Sequence, residues 1–556
     1  AAKNGGGGDW EVEGLGEDEA SATDIWWQGD GLVLTPRLRA EVFPTFKGNR
    51  RRRRGKKSVL LVGHAAGESL YGAERSLVDV AKAIDALGLN LVLLLPSALN
   101  SEYVDELRQL SHAVCVVPYG WWQTGKRTHL ATVQYMKDLI EQFDVDLVHV
   151  NTLVLDEPIV AAHESGVPVL VHVRELPEHD DALRRDLNAS SSHLRSRVLF
   201  MADGVIANSL QVARWLGVSR ENASSNVSSV AGVGTAAKPN VSKEPKIADD
   251  VTDVGQGLAG QTLGSDDDVS VLQDVGAGGG SLLGDVQGKP VFHVSNTVDM
   301  GKLLELPLSK ESFSEEGFLA QQGLNQLETS SRQGHRLVVG MLSSNLPKKG
   351  LDDIALIAQH LDEMSAVANQ GLIKNERLGI DGLDIVFILY GPMTAALQAL
   401  LKLQANNWQT VRGASAAQNT VAAQKQTSKP AVMPRVRFGG YVEDPAQALA
   451  KVDVVINVSR FQESFGRTAL EAMAAGRPVV GYEWGALPEL VVDGETGFLV
   501  PFGDTESVAS RLVELQQSPD LVARLGRAGR VRAVAAFSDA VLLERLHDVY
   551  RQYRVG

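Results

Sequence analysis

The stretch NVSRFQESFGRTALEAMAAGRPVVGYEWGALPELVVDGETGFLVPFGD runs from Asn457 to Asp504. Just before and overlapping it, DVVINVS (453–459) is β-branched and apolar, the texture of a buried strand. From about Arg467 the apolar spacing becomes helical, and Gly476 ends that helix. RPVVGYE (477–483) then reads as the next strand. Strand, loop, helix and strand in this order are the unit of a parallel sheet. The loop carries Glu463 and Gly466. Gly466 lets the backbone approach a ligand closely. The amides near Phe465, Gly466 and Arg467 open the helix, and their partial positive charge suits a diphosphate. Glu471 lies five residues beyond Gly466, about 7 Å along the axis. One carboxylate at the helix mouth and one farther along could accept hydrogen bonds from hydroxyls at opposite ends of a nucleotide sugar.

Working outward, the same alternation repeats. HRLVVGML (335–342), DIVFILYG (384–391) and RVRFGGYV (435–442) read as strands, with GLDDIALIAQHLDEM (350–364) and PAQALAKV (445–452) as helices. In the first half, SVLLVGH (58–64), NLVLLLP (90–96), VDLVHVN (145–151), VPVLVHVRE (167–175) and ADGVIANS (202–209) read as strands. Between the first two, Leu77, Val80, Ala81, Ile84 and Leu87 recur at helical spacing, and Gly88 stops the helix. The expectation is therefore α/β with two Rossmann-like doubly wound parallel sheets and a central cleft at their carboxyl ends.

Composition organises the rest of the 556 residues. Residues 1–57 read as an N-terminal appendage, ending in the basic run from Arg50 to Lys57. That run is either a solvated linker or a peripheral contact for anionic membrane head groups. Residues 58–300 form the first domain, with a Gly-, Ser- and Asp-rich insertion at 219–290. A linker covers 301–335, the second domain 336–535 with a polar insertion at 405–432, and a last helix 536–556. Net charge is −14, so a dominant nucleic-acid surface is not expected. The single cysteine, Cys115, cannot form an internal disulfide, and a cytoplasmic, reducing location fits. No apolar run reaches the roughly 18 residues of a spanning helix. SDDD (265–268) reads as solvated charge, and no metal site is expected.

The Asn457–Asp504 stretch resembles the C-terminal signature of family-4 retaining glycosyltransferases of the GT-B fold. Glu463 and Glu471 match its two glutamates, with seven residues between them. EAMAAGRPVV and GETGFLVPFGD match the flanking pattern. The resemblance covers about residues 58–218 and 291–550, and it implies that the last helix, 536–556, returns to the first domain. It implies that Glu463 contacts donor-sugar hydroxyls and Glu471 holds the ribose, while Ser464, Phe465 and Gly466 present backbone groups to sugar and diphosphate. VGMLSSNLPKKGLDD (339–353) resembles the opening of the second domain, with Lys349 at the diphosphate-binding lysine. Met341 stands where many members carry arginine, and Lys348 is the cation placed to compensate. GESLYGAERSLVDVAKAI (67–84) resembles the first glycine loop, with Gly72 and Ala73 facing the diphosphate. In VPVLVHVRELPEHD, Arg174 falls at a family histidine, and His172 shares its strand face. Either residue could touch the donor, and a structural histidine is the competing reading.

The expected activity is transfer of a sugar from a nucleoside diphosphate to a glycan, lipid or small-molecule hydroxyl, with retention of anomeric configuration and no required cofactor. Two alternatives stand beside it: a nucleotide-sugar epimerase on the same scaffold, and a degenerate transferase serving as a binding module.

Overall fold

Parallel strands buried on both faces read as continuous apolar runs, and the chain uses such runs to build two sheets. The computed structural model describes residues 25–28, 31–34, 44–64, 72–218, 282–308, 336–369, 383–404 and 435–556. The chain divides into two units, Ala1–Ile206 with His547–Gly556, and Ala207–Leu546. The boundary after Ile206 falls inside the span 58–300 that composition assigns to the first domain. The end of the C-terminal helix, from His547, groups with the first unit.

In the first unit, β1 (Ile25–Gln28) and β2 (Gly31–Leu34) form an antiparallel hairpin. The main strands are β3 (Thr45–Lys47), β4 (Ser58–Val62), β5 (Asn90–Leu95), β6 (Ala113–Val116), β7 (Leu147–Val150), β8 (Val169–Val173) and β9 (Gly204–Ala207). They run in the order β9-β8-β7-β4-β5-β6-β3. The central pairs are parallel, and β3 joins antiparallel, on β6. Every residue of β4 and β5 is buried, as a sheet covered on both faces requires. Counting from β4, the parallel strands follow the doubly wound order in which direction reverses between the first and fourth strands, β4 and β7.

From Pro44 on, the expected appendage is fastened. Beyond β3, Gly48, Asn49 and Arg50 donate backbone bonds to His112, Arg108 and Ser111 at 2.7–3.0 Å. A Cβ on Gly48 would stand 2.0 Å from the Ser111 carbonyl oxygen, so only glycine lets the strap lie this close. The basic run is bound too. Arg50 and Arg53 both pair with Asp85, Arg52 with Asp144 and Lys57 with Asp146, at 2.6–2.7 Å. Four of the seven cations of the run thus face carboxylates at the surface.

In the second unit, β10 (Leu282–Val286) and β11 (Lys289–His293) form an antiparallel hairpin. β10 and the start of β11 fall in residues that composition assigns to the insertion, while PVFHVSNTVD, from Pro290, itself reads as strand. Residues 219–281 of that insertion, 309–335 of the linker and all of 405–432 lie outside the described residues. The strands β12 (Leu337–Leu342), β13 (Ile385–Tyr390), β14 (Val436–Gly440), β15 (Val454–Asn457), β16 (Val479–Tyr482) and β17 (Gly497–Val500) form one parallel sheet, order β14-β13-β12-β15-β16-β17. The same reversal falls between β12 and β15. Buried Arg477 and half-buried Arg530 hold the chain after the helix Gly301–Leu304: Arg477 donates to the Pro307 carbonyl at 2.7 Å, and Arg530 to that of Leu306 at 2.7 Å.

Candidate functional site

In doubly wound sheets the loops leaving the two strands at the reversal splay apart, and ligands settle at their carboxyl ends. In the second unit those loops are 343–350 after β12 and 458–466 after β15. They carry the lysines and Glu463 respectively. Gly350 makes their contact. It has φ +85°, and a Cβ there would sit 2.0 Å from the Val458 carbonyl oxygen. The lysine loop thus lies flush on the end of β15. The Lys348 carbonyl accepts from the Arg460 and Phe461 amides at 3.0 and 3.2 Å and from the Ser459 hydroxyl at 3.4 Å. Arg460 donates to both oxygens of buried Asp353 at 2.5–3.2 Å, tying the second loop to the helix after the first.

This stitching brings Lys349 Nζ within 2.6 Å of Glu463 Oε1, with both side chains about one-fifth exposed. Glu463 is fixed from behind. Its carbonyl accepts from the Ala486 amide at 3.0 Å, and a Cβ on Gly485 would lie 2.8 Å from that same oxygen. Lys348 Nζ and Lys349 Nζ stand 4.5 and 5.5 Å from the centroid of the Phe461 ring. Gly466, at φ +94°, caps the helix Arg467–Ala474 with no side-chain hydrogen bond on the first amides. A small pocket beside Glu463 and Gly466 is walled by Phe461, Tyr482, Trp484 and Leu487. Two cations, a carboxylate and a helix mouth therefore share one patch, a set suited to an anion carrying hydroxyls.

The remaining residues of the motif divide between backbone and core. The Phe465 side chain is buried edge-on against Phe537 at 6.0 Å, so only its backbone faces outward chemistry. Ser464 lies 3.5 Å from the Asn208 amide. Glu471 is buried on its helix. Met341 packs in the core on the same strand face as Leu337 and Val339. Lys348 is thus the second cation beside Lys349. Phe461 and Trp484 were not singled out from sequence; aromatic residues flanking a glutamate loop were the available signal.

In the first unit, Gly72 and Ala73 open the helix Gly72–Ala86. His172 is fully buried on β8, stacked on His149 with centroids 5.4 Å apart. Its Nδ1 lies 3.2 Å from Arg174 Nη2 and 3.3 Å from His149 Nε2. A guanidinium only donates, so His172 Nδ1 accepts, His149 Nε2 donates, and His149 Nδ1 accepts from the Tyr550 hydroxyl at 2.7 Å. Arg174 also donates to Asn151 at 2.7 Å and is only part-buried at the strand end. His172 is an interior member of this chain and Arg174 its outer one. His64, after β4, was passed over in the sequence; burial pushes its pKa down, with Glu175 and Glu74 acting the other way.

Burial, reinforced by Arg174, pushes His149 down to about 3. Between its ordinary value near 6.5 and about 3, the unfolded chain binds a proton that the folded chain refuses. Stability therefore falls as pH falls through that window, by at most about 1.4 kcal/mol per pH unit from this residue. In urea unfolding, the stability gap between the parent and His149→Gln should narrow at about that slope below pH 6.5; a gap constant to pH 4 would contradict the neutral buried chain.

Among the described residues no cluster of three or more His, Cys, Asp or Glu is placed to hold a metal ion. No helix there is long and apolar enough to cross a membrane.

Residues 71–223 match the Glycosyl transferase 4-like domain, and residues 387–518 match Glycosyl transferases group 1. A putative glycosyltransferase EpsD of Bacillus subtilis is 35% identical over 118 residues, 21% of this chain and 30% of its own. N-acetyl-alpha-D-glucosaminyl L-malate synthase of Bacillus anthracis is 34% identical over 116 residues, again 21% and 30%. The matched stretches thus span less than a third of these relatives' length. Among solved structures, a glycosyltransferase of Rickettsia africae aligns with TM-score 0.55 at 14% identity, over 90% of this chain and 99% of that one. Anabaena HepE in complex with UDP-glucose aligns with TM-score 0.53 at 17% identity, over 89% and 99%. Fold and comparisons together define the class: the chain has the GT-B fold. Within that fold, residues 71–223 are similar to the 4-like domain and residues 387–518 to the group 1 domain.

Proposed function

We propose that this chain transfers a sugar from a nucleoside-diphosphate sugar to an acceptor hydroxyl with retention at the anomeric carbon. The observation that carries the reading is the Lys349–Glu463 pair at the reversal of the second sheet, beside the helix mouth at Gly466. The complexes of HepE with UDP and with UDP-glucose lend support to the donor class. Lys349 and Lys348 would bind the diphosphate and stabilise charge on it as the glycosidic bond breaks. The amides around Gly466 would add to this. Glu463 would accept from sugar hydroxyls and Glu471 from the ribose. Gly72, Ala73 and Arg174 are the first unit's candidates for touching substrate, with His172 behind Arg174. The leaving diphosphate itself takes the acceptor proton, so this reading needs no separate base.

A panel of nucleotide sugars, scored for thermal stabilisation and turnover, tests this, since a ligand that binds the folded state raises its apparent stability. A stabilising donor whose sugar appears on an acceptor with its anomeric configuration kept is the expected result. A donor isomerised without transfer would point to the epimerase reading. Binding without turnover would point to the degenerate scaffold, and no binding by any member would remove the donor site.

A further inference from the structure

Two features of the donor-site loops have so far stood side by side: the ring of Phe461 under both lysines, and the bonds joining the two loops. We propose that Phe461 is a positioning residue that orders Lys348 and Lys349 for the diphosphate of the donor, an inference that rests on the donor-site reading above. The face of an aromatic ring attracts a cation within about 6 Å of its centroid. Both ammonium groups satisfy that distance, at 4.5 and 5.5 Å. Lys349 has a second anchor in Glu463. Lys348 has none of that kind: among the described residues its ammonium faces no carboxylate, and its side chain is exposed. A lysine on the surface with no anchor samples many rotamers, and an anion that binds it must first order it.

The ring removes part of that cost without neutralising the charge. A carboxylate in its place would hold Lys348 equally well but would repel the diphosphate. The backbone makes ring and lysine one body. The Phe461 amide donates to the Lys348 carbonyl, the neighbouring Arg460 amide does the same, and Arg460 is clamped on Asp353. Gly350 permits the close approach on which these bonds depend. With Met341 turned into the core, no arginine at that position can share the task.

The test compares Phe461→Leu, which keeps bulk and loses the ring, with Phe461→Tyr, which keeps the ring. UDP, ADP and GDP, and the matching free nucleosides, are titrated against each by calorimetry, and donor KM and kcat are measured. Phe461→Leu should weaken the preferred nucleoside diphosphate and raise donor KM by about three- to thirtyfold, with most of the change in KM rather than kcat. Affinity for the free nucleoside should not move, and Phe461→Tyr should restore the parental values. In a Lys348→Met background the Phe461→Leu penalty should shrink, because one of the two cations is gone. Phe461→Met supplies a second ring-free chain if Phe461→Leu folds poorly. Unchanged diphosphate affinity in the ring-free chains would overturn the proposal, as would an equal loss for free nucleosides or an undiminished penalty beside Lys348→Met. A parental chain that bound none of the three diphosphates would instead overturn the donor-site reading, and this proposal with it.

Discussion

Glu463→Gln should lower sugar transfer about tenfold to a hundredfold while leaving the melting temperature close to the parental value. Charge-assisted hydrogen bonds are worth about 1.5–3 kcal/mol, and each 1.36 kcal/mol is roughly tenfold in rate if the bond acts in the transition state. Gln keeps the size of the side chain and one acceptor for Lys349, but loses the charge that holds sugar hydroxyls. The fold loses little. The Lys349–Glu463 pair is partly exposed, and pairs of that kind contribute about 1 kcal/mol or less. The backbone of Glu463 is held by Ala486 and Gly485, not by its carboxylate. Initial rates with saturating and limiting donor, next to a thermal melt, check this. Parental transfer by Glu463→Gln would place the sugar contacts on other residues.

Gly350→Ala should act on stability and donor binding together. A left-handed backbone costs an alanine about 1–2 kcal/mol. Here the new methyl would also meet the Val458 carbonyl oxygen at 2.0 Å and its carbon at 2.8 Å. Both are backbone atoms at the end of β15 and cannot swing aside like a flexible side chain. Relief requires the lysine loop to lift, which strains the bonds from Arg460 and Phe461 to the Lys348 carbonyl and draws Lys349 away from Glu463. A total loss of about 3 kcal/mol or more is expected, with donor affinity down at least about tenfold. Gly503→Ala is the matched control. It shares a positive φ, +80°, with open space around its Cβ, and should show only the backbone cost. Equal behaviour of the two variants would mean that the contact between the loops is not tight.

The part of the site legible in sequence is the part that is local. Glu463, Gly466 and the helix after them lie in one short run, and a helix mouth after a strand has a compositional signature. Lys349 lies outside that run, and only the resemblance of VGMLSSNLPKKGLDD to the opening of the second domain pointed to it; that the two loops leave strands at a sheet reversal needs the strand order. The orientation of Met341 was readable in principle, since alternate residues of a strand share a face and Leu337 and Val339 are plainly core. The partners that escaped are remote. His149 and Tyr550 are 401 residues apart, and nothing near either names the other. The ring under the lysines escaped for a related reason: a phenylalanine in a loop reads as packing until its distance from two cations is known. The strand β10 was hidden by its surroundings, because five residues beside a long Gly- and Ser-rich stretch do not shift a compositional average, whereas β11 falls on PVFHVSNTVD, which reads as strand.

The strap that precedes β4 was hidden by its brevity; three residues carry no period. Its place in the fold has a meaning beyond fastening. The outer margin of β6 would otherwise present a row of amides and carbonyls able to accept a strand from any passing chain. β3 fills that row with a segment only three residues long, entered through Pro44 and carrying Lys47. Such a segment completes the hydrogen bonds of its neighbour yet makes a poor template for the next strand. A chain cut back to Lys57 would keep every residue of the candidate site, but its first sheet would end in an open margin suited to building fibrils or mispaired oligomers.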